Sequence, residues 1–70
     1  MITNERIDEL IDARLYAESL VDRANVMVTY MQLLVTSTQN EKNHQTVKHE
    51  ARQQLQLIKE HIQNLERIIG

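Results

Sequence analysis

Hydrophobic residues recur at helical spacing through the first half of the chain, from Ile7 to Val35. This periodicity predicts a first helix over about residues 4–35. Thr3 and Asn4 are residue types that favour helix N-caps, and acidic residues occupy the first turns, where the helix dipole favours negative charge. At a rise of about 1.5 Å per residue, the helix would be about 45 Å long.

A heptad pattern runs through the second half of the chain. Its apolar positions alternate in steps of four and three, at Ala51, Leu55, Ile58, Ile62, Leu65 and Ile69. The pattern predicts a second helix over about residues 39–69 with one apolar seam. Towards the centre of the chain the same heptad positions are polar and are occupied by Lys48, His44 and Glu41. Gly70 follows at the position of a helix C-cap.

Residues 36–40, Thr-Ser-Thr-Gln-Asn, are the one run with the composition of a turn. Hydroxyl and amide side chains compete for backbone hydrogen bonds and weaken a helix interior. Thr38 followed by Glu41 fits a capping box, which predicts a connection at about residues 36–38. One continuous helix of about 65 residues is the alternative, because neither glycine nor proline enforces a break there.

An antiparallel hairpin would bring the apolar halves of the two helices together far from the turn. A turn at about residue 37 sets Ala17 near Ile58 and Ala24 near Ala51. The segment 26–35, apolar at eight of its ten positions, would then face polar residues and lie uncovered. A helix that is apolar nearly all round must be covered on several sides.

A second copy of the hairpin is the most economical cover for this segment. The predicted fold is therefore all-α: a two-helix antiparallel hairpin that dimerises into a four-helix bundle, with the orientation of the two copies left open. A partner's helix in the same place is the alternative occupant. The predicted dimer or partner interface consists of Met27, Val28, Tyr30, Met31, Leu34, Ala51, Leu55, Ile58, Ile62 and Leu65.

Composition supports self-association. Seventy residues form one domain, and a chain this short buries only about 60 % of its unfolded surface. Small domains compensate with disulfides, a metal or oligomerisation. Cysteine is absent, so disulfides and thiolate metal sites are excluded. The absence of proline, with one glycine at the end, suits long helices.

Charge gives a second interpretation of function. The net charge of −2 divides into −3 for residues 1–35 and +1 for residues 36–70, with no block of like charge. Lys48, Arg52 and Lys59 fall near one side of the second helix and form a possible nucleic-acid face. Interleaved glutamates and the lack of stacking aromatics there weigh against it. A nucleic-acid-associated regulator is thus the alternative function, and a purely structural adaptor is another.

The sequence offers little for catalysis or cofactor binding. Glu41 and His44 have the Glu-x-x-His spacing of carboxylate-bridged metal bundles, but the facing segment offers no acid. Ser19 has acidic neighbours, and no histidine follows it on the same helix. Nucleophile motifs and glycine-rich phosphate loops are absent. We therefore expect no metal, no cofactor and no enzymatic activity.

The chain is expected to be cytoplasmic and to have no membrane partner. The N-terminus lacks a basic region followed by an apolar run, which is the mark of a secretion signal. The apolar segment 26–35 is about half the length of ~20 residues that a membrane span requires.

The opening sequence, Met-Ile-Thr-Asn-Glu-Arg-Ile over residues 1–7, resembles the start of small helical accessory proteins encoded by tailed phages and prophages. The resemblance covers about a tenth of the chain and includes no functional motif. It implies a small host-takeover or regulatory protein that binds another protein. The predicted function is accordingly a non-enzymatic regulator or inhibitor that acts by protein–protein binding as a homodimer.

Overall fold

The computed structural model describes residues 2–70 and shows two α-helices, α1 at Asn4–Thr36 and α2 at Glu41–Ile69. These residues contain no strand. The helices pack against each other as a hairpin that measures 59 × 15 × 13 Å. The all-α class and the two-helix hairpin are therefore confirmed. The alternative of one continuous helix is wrong, because the chain reverses between Thr36 and Glu41.

Side chains at the helix ends explain the boundaries. Thr3 is the N-cap of α1, and its hydroxyl accepts a 3.1 Å hydrogen bond from the Arg6 backbone N–H. Asn40 is the N-cap of α2 and accepts a 3.1 Å bond from the backbone N–H of Asn43. Gly70 is the C-cap, with its N–H 2.7 Å from the Glu66 carbonyl oxygen.

The capping box predicted at Thr38 does not form. Its hydroxyl donates to the Val35 carbonyl oxygen at 3.4 Å and so helps to close the end of α1. The connection consequently covers residues 37–40, and α2 begins two residues later than the sequence pattern indicated. Asn40 takes the cap position because asparagine is at least as good an N-cap as threonine and directly precedes Glu41.

Burial follows a heptad on both helices and defines the seam between them. Among residues 2–70 only Ala13, Ala51 and Ile68 are buried. Half-buried side chains complete the seam in steps of three and four, on α1 at Tyr16, Leu20, Arg23, Met27, Tyr30 and Leu34, and on α2 at His44, Val47, Gln54, Ile58, His61 and Leu65. The seam thus mixes apolar residues with arginine, glutamine and histidine.

Polar contacts across the seam set the register of the hairpin. The Ser19 hydroxyl lies 3.1 Å from His61 Nε2, and the rings of Tyr16 and His61 are 5.5 Å apart. Arg23 donates a 2.6 Å hydrogen bond to the Gln54 side chain. Ala17 is therefore level with His61, and the predicted pairing of Ala17 with Ile58 is wrong by about three residues. The longer connection accounts for most of this shift.

Candidate interaction surface

The apolar stripe of α2 is wider than its contact with α1. Ala51, Ile58 and Leu65 belong to the seam, whereas Leu55 and Ile62 are each 42 % exposed and Ile69 is 69 % exposed. One heptad row corresponds to a rotation of about 50° around the helix. The centre of the stripe is thus rotated by about 50° from the side that α1 covers, because Gln54 and His61 take up contact positions on the other edge.

A matching apolar row runs along α1 beside the seam. It consists of Leu10, Ala17, Ala24 and Met31, which repeat every seven residues, and all four are exposed. Leu10 is 43 % and Met31 is 45 % exposed. Each member except Leu10 follows a seam residue by four positions, as Ala17 follows Ala13 and Met31 follows Met27. This row therefore borders the seam along the length of α1.

The two exposed rows lie on the same side of the hairpin. Four residues after a residue that faces the other helix, the side chain is rotated by about 40° around its own helix. In an antiparallel pair this rotation points to the same side of the hairpin for both helices. Ala17 follows the seam residue Ala13 by four, and Leu55 follows Ala51 by four. We call the resulting surface the exposed apolar face, and it is formed by Leu10, Ala17, Ala24, Met31, Leu55, Ile62 and Ile69.

Small and large residues alternate across this face. Because Tyr16 and Ser19 meet His61, Ala17 lies within one residue of the level of Ile62. Because Arg23 meets Gln54, Ala24 lies within two residues of the level of Leu55. Each alanine thus lies near a large branched side chain of the other helix, and α1 is the less bulky side of the face at these two levels.

A shallow apolar groove lies at the open end of the hairpin. It has a volume of about 330 Å³ and is lined by Ile62, Leu65, Glu66, Ile69 and Gly70. The groove continues the exposed apolar face to the end of α2, and its lining is almost entirely apolar.

The structure divides the ten predicted interface residues into two groups. Met27, Tyr30, Leu34, Ile58 and Leu65 are half-buried and Ala51 is buried, all six within the hairpin's own seam. The other four, Val28, Met31, Leu55 and Ile62, are exposed. In the segment 26–35, five of the eight apolar side chains are exposed. A partner for these residues stays a prediction.

The three residues of the predicted nucleic-acid face are all exposed. Lys48 continues the row of Leu55 and Ile62 towards the turn. Arg52 and Lys59 occupy the next row and form one edge of the exposed apolar face. The basic side chains therefore border an apolar surface, and a role in nucleic-acid binding stays a prediction.

Ser19 and His61 form a pair that sequence reasoning missed. No histidine follows Ser19 on α1, and only the register of the hairpin brings His61 to its hydroxyl. A nucleophile and a base need a third group to orient the base and free N–H donors for an oxyanion. His61 Nδ1 is buried without a hydrogen-bond partner among residues 2–70. Both residues lie inside helices, where the backbone N–H groups bond to carbonyls of the preceding turn. The pair is a polar contact within the seam.

Glu41 and His44 do not converge on a common point. Glu41 accepts a 3.1 Å hydrogen bond from the Gln45 amide, and His44 Nδ1 lies 3.1 Å from the Ser37 hydroxyl. Within the described part of the chain, no three His, Cys, Asp or Glu residues are grouped so that they could hold a metal ion. Both side chains instead stabilise the region of the turn.

Comparison with protein families, with curated proteins and with solved structures finds no match to this chain. The resemblance of residues 1–7 to phage accessory proteins therefore stays a prediction. Neither helix of residues 2–70 combines the length and the apolar character that crossing a membrane requires. The cytoplasmic location stays a prediction as well.

Proposed function

We propose that this protein is a non-enzymatic helical interaction protein that works as a homodimer and regulates or inhibits another protein by binding it. The observation that supports the proposal is the exposed apolar face, seven apolar residues in two adjacent rows on one side of a hairpin. A monomer that left such a surface in water would be prone to aggregation. A second hairpin placed on it would make a four-helix bundle.

The accessible surface area of the single hairpin is larger than that of a typical compact monomer, as expected if a contact with another chain is missing. The accessible surface is 5635 Å², about 1,100 Å² more than the ~4,500 Å² typical of a compact monomer of this mass. A standard protein–protein interface removes about 800 Å² per partner. Dimerisation through the exposed apolar face would thus bring the chain close to the surface of an ordinary globular protein.

Two further exposed apolar residues, Val26 and Leu33, could contact a target protein. Val26 is 39 % and Leu33 is 44 % exposed. Val26 precedes the seam residue Tyr30 by four positions, and Leu33 repeats Val26 seven residues later, so both lie on the side opposite the exposed apolar face. A dimer would therefore keep these side chains accessible on its outer surfaces, where an apolar patch of a regulated protein could contact them.

The dimer is tested by light scattering of the tag-free protein over a concentration series. We expect a stable dimer for the wild type and a monomer for Met31→Glu, since a carboxylate would be buried in the bundle core. Leu15→Glu is the matched control, because Leu15 is 56 % exposed on the outer side of α1, and it should remain a dimer. A monomeric wild type would contradict the homodimer.

The regulatory role is tested by affinity capture with the dimeric protein. One stoichiometric protein partner that is lost with Val26→Asp and Leu33→Asp, while the dimer persists, is the expected result. Salt-dependent retention on heparin that disappears with Lys48→Glu and Arg52→Glu would instead favour the nucleic-acid alternative. Absence of both would leave the structural adaptor as the better description.

A further inference from the structure

We propose that the two hairpins pair with their turns at the same end of the bundle, so that α1 of each copy lies beside α2 of the other. At each edge of the dimer, Arg14 of one copy would form an ion pair with Glu66 of the second. This inference rests on the proposed homodimer and specifies its geometry.

Two symmetric pairings can bring the exposed apolar faces together. With the twofold axis along the helices, the turns share one end, and each α1 packs beside the second copy's α2. With the axis across the helices, the turns lie at opposite ends, and α1 packs beside α1 and α2 beside α2. In the first pairing, residues that are level within a hairpin are also level between the copies.

Charges at the edges favour the same-end pairing. Arg14 lies at the edge of α1 next to the exposed apolar face, and Glu66 lies at the corresponding edge of α2. Tyr16 and Ser19 both contact His61, so Ala17 is level with His61 and Arg14 with Asn64, and Glu66 lies two residues, about 3 Å, further along α2. The same-end pairing therefore sets each Arg14 beside the Glu66 of the other copy.

The edge of α1 already holds an ion pair that this contact would extend. Arg14 and Glu18 are 3.1 Å apart along α1, with 81 % and 57 % of their side chains exposed. Lys59 of the second copy would lie near Glu18, two helical turns before its Glu66. Four charges of alternating sign, Glu66, Arg14, Glu18 and Lys59, would then line each edge of the dimer.

The opposite-end pairing has no such match. Two antiparallel α2 helices in full overlap would set Arg52 of one copy beside Lys59 of the other, and like charges in contact are destabilising.

Packing favours the same choice. In the same-end pairing Ala17 and Ala24 face the Ile62 and Leu55 of the second copy, so that small residues meet large ones. The opposite-end pairing sets Ala17 against Ala24 and Leu55 against Leu55. The two facing alanines would leave a cavity and the two facing leucines would be crowded, and both defects cost stability.

A spin-label distance measurement on the intact dimer distinguishes the two pairings. The natural chain has no cysteine, so Gln39→Cys in the exposed turn provides one labelling site per copy. Labels at the same end should be about 15–30 Å apart, whereas turns at opposite ends would be about 50 Å apart or more. A dimer with the long distance would overturn this inference and leave the proposed homodimer intact. A monomer would overturn both.

A charge swap tests the edge contact itself. Glu66→Arg should weaken dimerisation about five- to tenfold, because two Arg–Arg contacts replace two exposed ion pairs. The double variant Arg14→Glu with Glu66→Arg should recover most of that loss. Glu60→Arg is the matched control on the outer side of α2 and should leave the dissociation constant unchanged. Failure of the double variant to recover affinity would contradict the Arg14–Glu66 contact.

Discussion

The Arg23 guanidinium donates a 2.6 Å hydrogen bond to the side-chain oxygen of Gln54 across the middle of the seam. Both residues are half-buried, and both occupy heptad positions at which a helical hairpin more often holds apolar side chains. This contact places two polar residues between the helices, while Leu55, the next residue on α2, lies on the exposed apolar face.

Replacing Gln54 should destabilise the hairpin. Gln54→Leu removes the acceptor and leaves a half-buried guanidinium without this partner, at a cost of about 1–2 kcal/mol in the free energy of unfolding. Urea unfolding at fixed protein concentration measures the loss. Gln53→Leu changes an exposed neighbour and should have an effect within about 0.5 kcal/mol. Equal effects of the two substitutions would show that the Arg23–Gln54 bond contributes nothing.

Replacing His61 should have the opposite effect. His61 Nδ1 is buried without a partner in residues 2–70, and an unsatisfied buried polar atom costs about 1–3 kcal/mol. In His61→Leu the Ser19 hydroxyl can turn to a carbonyl of its own helix. We expect a gain of about 1 kcal/mol in the free energy of unfolding by urea. His49→Leu, at an exposed histidine, is the control, and a destabilised His61→Leu would show that the Ser19 contact outweighs the unsatisfied atom.

The start of α2 provides a third prediction. Asn40→Ala removes the side-chain acceptor of the Asn43 N–H and should lower stability by about 1 kcal/mol. Thr38→Ala, at the residue that the sequence pattern favoured as the cap, should cost clearly less. Thermal unfolding followed by circular dichroism compares the two at equal concentration. A larger loss from Thr38→Ala would place the functional cap at Thr38.

Ile68 should be the most sensitive large apolar residue of the hairpin. It is 5 % exposed, and truncation of a buried isoleucine to alanine costs about 2–5 kcal/mol, with the lower part of that range expected so close to a helix end. Ile2→Ala, at a residue that is 64 % exposed, is the matched truncation and should cost under about 0.5 kcal/mol. Chemical denaturation of both variants tests this difference, and similar losses would refute it.

Much of the fold was predictable because it depends on local interactions. The 3.6-residue periodicity from Ile7, the heptad from Ala51 and the turn residues near Ser37 are sufficient for two long helices and a reversal between them. The incomplete cover of the segment 26–35, where five of the eight apolar side chains are exposed, was predictable for the same reason, since the residues after the turn are polar whichever exact register the hairpin adopts. The heptad of α2 also identified its apolar stripe correctly.

The side of that stripe that faces α1 depended on tertiary structure. Sequence periodicity gives the relative angles of residues around one helix and cannot give the rotation of that helix towards its neighbour. The polar contacts of Gln54 and His61 with α1 set this rotation, and the Asn40 cap set the register. As a result Ala51, Ile58 and Leu65 lie in the seam, while Leu55, Ile62 and Ile69 form the α2 side of the exposed apolar face. Helices and turn thus follow from the chain alone, whereas the location of the exposed apolar face required side chains distant in sequence to meet.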